Sequence, residues 1–307
     1  MSSITIEVPD DTLHQMKSYY HQELIKSVPY SLFRAKVGAV TITGYLSGKV
    51  LFQGNNASKE ASRWQKDLPT SSQKSLNSSA HDYSNWSMIG SDEVGNGSYF
   101  GALTVCATYV AKKDMNLLKT LGVKDSKNLS DAQIRDLAWQ IKEIVPYHLT
   151  IANPHRYNIA NQTRNINGIL VALHNFTLQH LLAKLTPQQL EEMDGILIDE
   201  FTTPRSYNQY LQQEEDPLKR DDIYFECQGE GKHLAVACAS IIARDAFLES
   251  LEKLGRPYGL MLPSGAGTQV DQVASQIIRQ HGVEALEDLA KLHFANTQKA
   301  MTLVNGS

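Results

Sequence analysis

The chain opens on an alternating run, Ile4-Thr5-Ile6-Glu7-Val8, that predicts a half-buried strand. Pro9-Asp10-Asp11 supplies a helix start, and Leu13, Met16, Tyr20, Leu24 and Ile25 recur at roughly helical spacing. Strand patterning returns over 33–37 and 39–43 and, after a turn at 46–49, over 50–53. Residues 57–67 read as a short helix. These pieces predict a small α+β unit built on one antiparallel sheet, spanning 1–67. Periodicity then vanishes over 68–85, a polar, Ser-rich linker.

Behind the linker the pattern changes. Strands are predicted over 86–91 and 102–110, joined by a Gly-rich turn, and Ser130 opens a helix with Ile134, Leu137, Ala138 and Ile141 on one face. A strand over 145–152 precedes two helices, the second over 166–185. The short apolar run 195–199 ends in a carboxylate, 222–227 is another strand, a long helix covers 233–254, and further helices fill 269–300. Strands alternating with helices make residues 86–307 an α/β domain with a mixed central sheet.

Composition narrows the classes. Apolar residues are 42% and charged residues 20%, as expected for a globular chain with a proper core. The three cysteines, Cys106, Cys227 and Cys238, are widely spaced and form no CxxC pair, which argues against a disulfide framework or cysteine zinc site and fits a reducing compartment. No signal-peptide pattern or membrane-length apolar run is seen, so a cytoplasmic protein is expected. The net charge of −4 would count mildly against a nucleic-acid partner. Its distribution counts the other way: residues 1–80 hold nine Lys/Arg against six Asp/Glu, a net of +3, which leaves −7 behind them.

The chemistry is concentrated in Ile89-Gly90-Ser91-Asp92-Glu93-Val94-Gly95-Asn96-Gly97-Ser98-Tyr99-Phe100-Gly101. Two adjacent acids end a strand, and alternation sends their side chains to opposite faces. Taken alone, one acid could be exposed while the other caps the turn. A dinucleotide fingerprint fails on spacing, because position 100 is Phe, and the carboxylates would repel a pyrophosphate. Asp199 closes another apolar strand and alone would read as a cap. Together Asp92, Glu93 and Asp199 form an all-oxygen set that suits Mg²⁺ or Mn²⁺ rather than Zn²⁺. A divalent cation offsets the mutual repulsion of clustered carboxylates, and such sites serve phosphoryl chemistry. Glu230 alone would read as an acid at a helix N-terminus, and Asp245 as a helix-surface acid. His233 and His293 read as packing or surface residues, without zinc-site spacing. Tyr99 and Phe100 fit either a substrate floor or the core, with the core favoured for Phe100.

Through these motifs the chain resembles the type 2 ribonuclease H family, in its ribonuclease HIII branch. Besides 90–101, the matching pieces are Gly122-Val123-Lys124-Asp125-Ser126-Lys127, Asn165-Ile166-Asn167-Gly168 leading to His174-Asn175, 196–201, Gly229-Glu230-Gly231-Lys232, 237–244, 262–267 and 290–294, in order. The N-terminal unit resembles that family's substrate-binding appendage, with a fold like the TATA-box-binding protein, through Ala35-Lys36 and residues 47–54.

The resemblance implies a ribonuclease H-like mixed sheet with flanking helices. The implied activity is metal-dependent hydrolysis of the RNA strand of RNA–DNA hybrids, leaving 5′-phosphate and 3′-hydroxyl ends. Asp92, Glu93, Asp199 and Glu230 are the implied catalytic acids, with Asp92 bridging two Mg²⁺ or Mn²⁺ ions and Glu93, Asp199 and Glu230 completing their shells. Gly95, Asn96 and Gly97 would present backbone groups to the 2′-hydroxyl that separates RNA from DNA. Lys127, Lys36 and Lys49 would meet phosphates, Lys127 being otherwise a surface lysine. Asn96 stands where the HII branch carries Arg, which favours extended hybrids over single ribonucleotides embedded in DNA. A non-catalytic hybrid-binding module is disfavoured because all four acids are present. No membrane, no obligate protein partner and no assembly beyond a monomer are implied.

Overall fold

The computed structural model describes residues 3–28, 31–65, 82–123 and 129–306. The chain divides at Asp82/Tyr83 into two compact units.

The first unit runs β1 (Ser3–Glu7), α1 (Asp10–Tyr19), β2 (Ser31–Val37), β3 (Val40–Tyr45), β4 (Lys49–Gly54) and α2 (Ala57–Gln65). Its antiparallel sheet has the order β1-β4-β3-β2. One face is apolar: Ile6, Phe33, Ala35, Ile42, Val50 and Phe52 pack with Leu13, Met16 and Tyr20 of the first helical segment and with Ala57 and Ala61 of α2. Strand alternation puts the polar residues on the other face. There the register lines up Lys36, Thr41, Gln53 and Ser3 in one row and pairs Lys49 with Glu7 in another. The helical periodicity read through Leu24 and Ile25 stops earlier, because α1 ends at Tyr19. Leu24 instead bridges Ala35, and the Ile25 amide donates to the Arg34 carbonyl, so this stretch runs along β2 as extended chain.

The second unit is mixed α/β. In order it contains β5 (Met88–Val94), β6 (Leu103–Val110), α3 (Met115–Thr120), α4 (Asp131–Ile144), β7 (Tyr147–Ala152), α5 (Pro154–Asn161), α6 (Ile166–Leu182), α7 (Pro187–Glu192), β8 (Gly195–Asp199), α8 (Pro204–Leu211), β9 (Ile223–Glu226), α9 (Leu234–Gly255), α10 (Thr268–His281), α11 (Leu286–Leu289) and α12 (Asn296–Asn305). The sheet order is β7-β6-β5-β8-β9. β6 is antiparallel to β5 and β7, whereas β8 is parallel to β5 and β9. Tyr83–Asn85, at the end of the polar stretch, form a 3₁₀ turn of this unit. Tyr83 is buried there against Trp86 and Tyr224 and donates to Glu226. Among the described residues no helix is long and apolar enough to cross a membrane.

Helices cover both faces of the sheet. α9 and α4 bury Cys106, Val110, Ile134, Ile141, Ile241 and Ile242 on one face. On the other, α6 buries Val171, Leu178 and Leu181 against Ile89, Ala107, Ile196 and Ile198. α9 approaches β5 so closely that a Cβ at Gly90 would collide with the backbone of Ala235 and Val236. Thr108, paired with Gly90 across the ladder, donates to the Ala235 carbonyl at 2.7 Å. Gly90→Ala is therefore expected to destabilise the fold by about 2–4 kcal/mol, since backbone on both sides must part. Urea unfolding checks this, and a loss below roughly 0.5 kcal/mol would refute the close packing.

Candidate active site

Parallel pairing of β5 with β8 places their carboxyl ends together. The register runs through Ser91 and Ile198, so the next residues, Asp92 and Asp199, stand side by side on one sheet face. It is the α9 face, as Asp92 pairs across β6 with Cys106 of the α4–α9 core. Asp92 is buried and accepts from the Glu93 amide at 2.7 Å and from Ser240 of α9. Asp199 accepts from the Gly229 amide at 2.6 Å. A Cβ at Gly229 would stand 3.2 Å from both Asp199 Oδ1 and Val236, so a larger residue would have to displace these neighbours slightly. Gln228 just before it adopts a left-handed φ of 58°, uncommon for a residue with a side chain, and this turns the chain toward α9. The turn carries Glu230. One carboxylate oxygen from each of Asp92, Asp199 and Glu230 lies within 4.8 Å of the other two. Three carboxylates with no nitrogen or sulfur donor among them fit a hard divalent cation.

Glu93 faces the other way. Alternation directs it to the α6 face, where His174 Nε2 lies 3.2 Å from its carboxylate. His174 is fully buried, its Nδ1 is 2.8 Å from the Ser91 hydroxyl, and its ring stacks on Phe201 at 5.0 Å. Ser91 and Glu93 are two apart on β5 and so reach the same ring. The group that the fold assembles is therefore Asp92, Asp199 and Glu230. The sequence grouping was Asp92, Glu93 and Asp199, and Glu93 stands behind the assembled three in a Ser91–His174–Glu93 chain.

The electrostatics follow from burial. The Asp92 carboxyl is held well above its ordinary pKa of 3.8, chiefly by desolvation and then by the charges of Glu93 and Asp199. Ser240 and the Glu93 amide oppose the shift. His233 caps α9, accepting from the Ala235 amide at Nδ1 and donating from Nε2 to the Trp86 carbonyl at 3.1 Å. Burial lowers its pKa to about 4, so it stays neutral and ties the Glu230 turn to the start of β5.

Comparison with known proteins places this geometry. A family model described as Ribonuclease HII matches residues 89–297, and one described as Domain of unknown function (DUF3378) matches residues 3–77. Ribonuclease HIII of Enterococcus faecalis is 48% identical over 97% of this chain and 98% of its own length. Ribonuclease HIII of Bacillus mycoides is 46% identical over 99% of each. The chain belongs to the ribonuclease HIII family. A crystal structure of Bst-RNase HIII in complex with Mn²⁺ is 39% identical over the whole of both chains, with a TM-score of 0.71. The RNase H3 of Aquifex aeolicus, at 22% identity and a TM-score of 0.54, shares the fold.

The fold also places the other residues singled out in the sequence. Asn96 and Gly97 are exposed on the turn after β5. Gly95 holds a φ of 98°, and a Cβ there would collide with the Ala102 carbonyl. Tyr99 and Phe100 are both core residues, fully buried with Leu262 and Ala274. Asp245 pairs with Lys142 at 2.7 Å. His293 tilts against Tyr157 and Phe294. Lys36 and Lys49 are exposed on the polar sheet face of the first unit, and Lys127 lies outside the described residues. Cys106 and Cys238 are buried thiols and Cys227 an exposed one, all free. Sequence reasoning did not single out Ser240 or His174 as side chains of the site. Their signal was a polar residue within an otherwise apolar helical stretch.

A carboxyl whose folded pKa is raised costs stability once it ionises. That cost is absent below its unfolded value of 3.8 and grows as pH climbs through the folded pKa. Asp92→Asn should therefore raise the Tm of chelator-treated protein by a few degrees near pH 8, with the gain vanishing toward pH 4. Thermal unfolding across that pH range measures it, and an equal or lower Tm for the variant near pH 8 would contradict the burial argument.

Proposed function

We propose that this protein hydrolyses the RNA strand of RNA–DNA hybrids in a reaction dependent on Mg²⁺ or Mn²⁺, leaving 5′-phosphate and 3′-hydroxyl ends. The observation that carries this reading is the three-carboxylate group formed by β5, β8 and the turn before α9 in a ribonuclease HIII family chain. Asp92, Asp199 and Glu230 would hold the cation. When bound, a divalent cation polarises a phosphodiester and lowers the pKa of a coordinated water. Desolvation keeps Asp92 poorly compensated until a cation arrives, so the fold reserves this acid for binding rather than for a permanent salt bridge. Glu93, held by His174 just behind the three, is the fourth catalytic acid. Both cations suit an all-oxygen donor set, and the Bst-RNase HIII crystal contains Mn²⁺.

The backbone of residues 95–97, exposed at Asn96 and Gly97, is the element that meets the 2′-hydroxyl, and Asn96 supports extended hybrids as substrate. The polar sheet face of the first unit would lie on the phosphate backbone, with Lys36 and Lys49 as its cations and Lys127 as a phosphate contact of the second unit. A cytoplasmic location fits, and the reading requires no membrane and no protein partner.

Asp92→Asn is expected to cut cleavage of a uniform hybrid at least about 10³-fold while the Kd for the hybrid changes by less than about threefold. Cleavage at the wild-type rate would remove Asp92 from the site. A duplex carrying one ribonucleotide in DNA should be cut far more slowly than the uniform hybrid, and faster cutting would instead assign the protein to embedded ribonucleotides. For the double variant Lys36→Gln with Lys49→Gln, the slope of log Kobs against log salt should flatten by about 2, the share expected for two lost phosphate contacts. An unchanged slope would take the first unit's polar face off the nucleic acid.

A further inference from the structure

Lys291, in the segment after α11, has no exposed surface. Its Nζ donates to the Ser98 carbonyl at 2.9 Å and to the Gly101 carbonyl at 2.7 Å. The face of Tyr157 lies 5.8 Å away, and among the described residues no carboxylate pairs with the lysine. Burial without a counter-ion draws its pKa down to about 7. An apolar side chain would fill this volume at less cost. What lysine adds is donors, and two of its three are spent on carbonyls at the two ends of the turn 98–101.

The surrounding backbone joins the same turn. The Lys291 amide donates to the Tyr99 carbonyl at 2.8 Å, the Gly101 amide to Leu289 at 3.2 Å, and Phe100 bridges Ala290. On its far side the segment is anchored to α5. Asn158 donates to the Ala290 carbonyl at 2.9 Å and accepts from the Leu292 amide at 3.0 Å. Residues 290–292 thus strap α5 to the turn that follows the glycine loop 95–97. By contrast, nothing within 4 Å stands where a Cβ of Gly97 would go, so the tip of that loop depends on its flanks for its position.

We propose that Lys291 is a positioning residue for hybrid binding: by fixing the Ser98 and Gly101 carbonyls it holds the backbone of residues 95–97 in place for the RNA strand. This rests on the reading of residues 95–97 as the RNA contact. The side chain touches neither substrate nor the carboxylates, so its loss loosens binding rather than the chemical step.

Three variants test it. Lys291→Met removes the donors at similar length. The KM for a uniform hybrid should rise about tenfold with kcat within about threefold, the split expected when binding is lost and the chemical step is not. Ile277→Ala opens a cavity in the same helical region and should lower Tm comparably. Its KM should stay at the wild-type value. Gly95→Ala moves the loop directly and should raise KM by itself. Should Lys291→Met fail to fold, Lys291→Gln, which keeps a shorter donor, takes its place with a smaller rise in KM. If the Lys291 variant leaves KM unchanged, or if Ile277→Ala raises it equally, the lysine is merely structural and the proposal is overturned while the loop reading stands. If Gly95→Ala leaves KM unchanged, the loop reading falls and the proposal with it.

Discussion

The close approach of α9 to β5 is the constraint on which the rest depends. It needs a glycine at position 90, because any side chain there would enter the first turn of the helix. Once the helix lies that near, its successive turns do different work along the strand. The first turn takes the Thr108 hydroxyl on its Ala235 carbonyl, and a later turn brings Ser240 to Asp92. The chain entering the helix must then pass over the end of β8, which is why Gly229 meets Asp199 and Glu230 is delivered beside it. Three carboxylates from three separated parts of the chain converge because one helix packs on one glycine.

The period of a strand then divides the labour between adjacent acids. Asp92 and Glu93 differ by one residue and face opposite layers. Asp92 meets a desolvated environment with a hydroxyl and an amide donor, and stays short of compensation. Glu93 meets an imidazole oriented by Ser91 and stacked on Phe201. The first environment raises the cost of a lone charge and so rewards a cation. The second settles the position of a carboxylate in advance. The same dipeptide thereby supplies one acid that a cation would compensate and one already placed.

Much of this was legible before any coordinates, and for identifiable reasons. The apolar strands around 90 and 195–199 are buried on both faces, so they read as continuous runs whose terminal acids stand out. The strand alternation that separates Asp92 from Glu93 is likewise readable from their adjacency. What was not legible was which further residue joins Asp92 and Asp199. Glu230 follows Asp199 by a long intervening stretch and sits in a 3₁₀ turn whose local pattern is only that of a helix N-terminus. Family resemblance, not periodicity, pointed to it. The short helices α7 and α8 escaped notice although Thr186-Pro187 and Thr203-Pro204 are both cap-and-first-turn signals. Leu24 and Ile25 misled because an apolar pair at helical spacing can equally flank an extended segment.

Charge was similarly misleading as a total and informative as a distribution. A net of −4 would set this chain apart from proteins that hold nucleic acid, yet part of that acidity is the clustered carboxylates of Asp92, Asp199 and Glu230. Clustered acids contribute little to the field a duplex feels at long range once a cation neutralises them, whereas the exposed lysines of the first unit's sheet would act directly on any phosphates they reach. The two demands conflict if placed together, since acids that gather cations also repel phosphate. Their separation into a basic first unit and an acidic second one lets each be met without weakening the other. The remaining contact proposed, at residues 95–97, would be made by backbone and so would add no charge to either side.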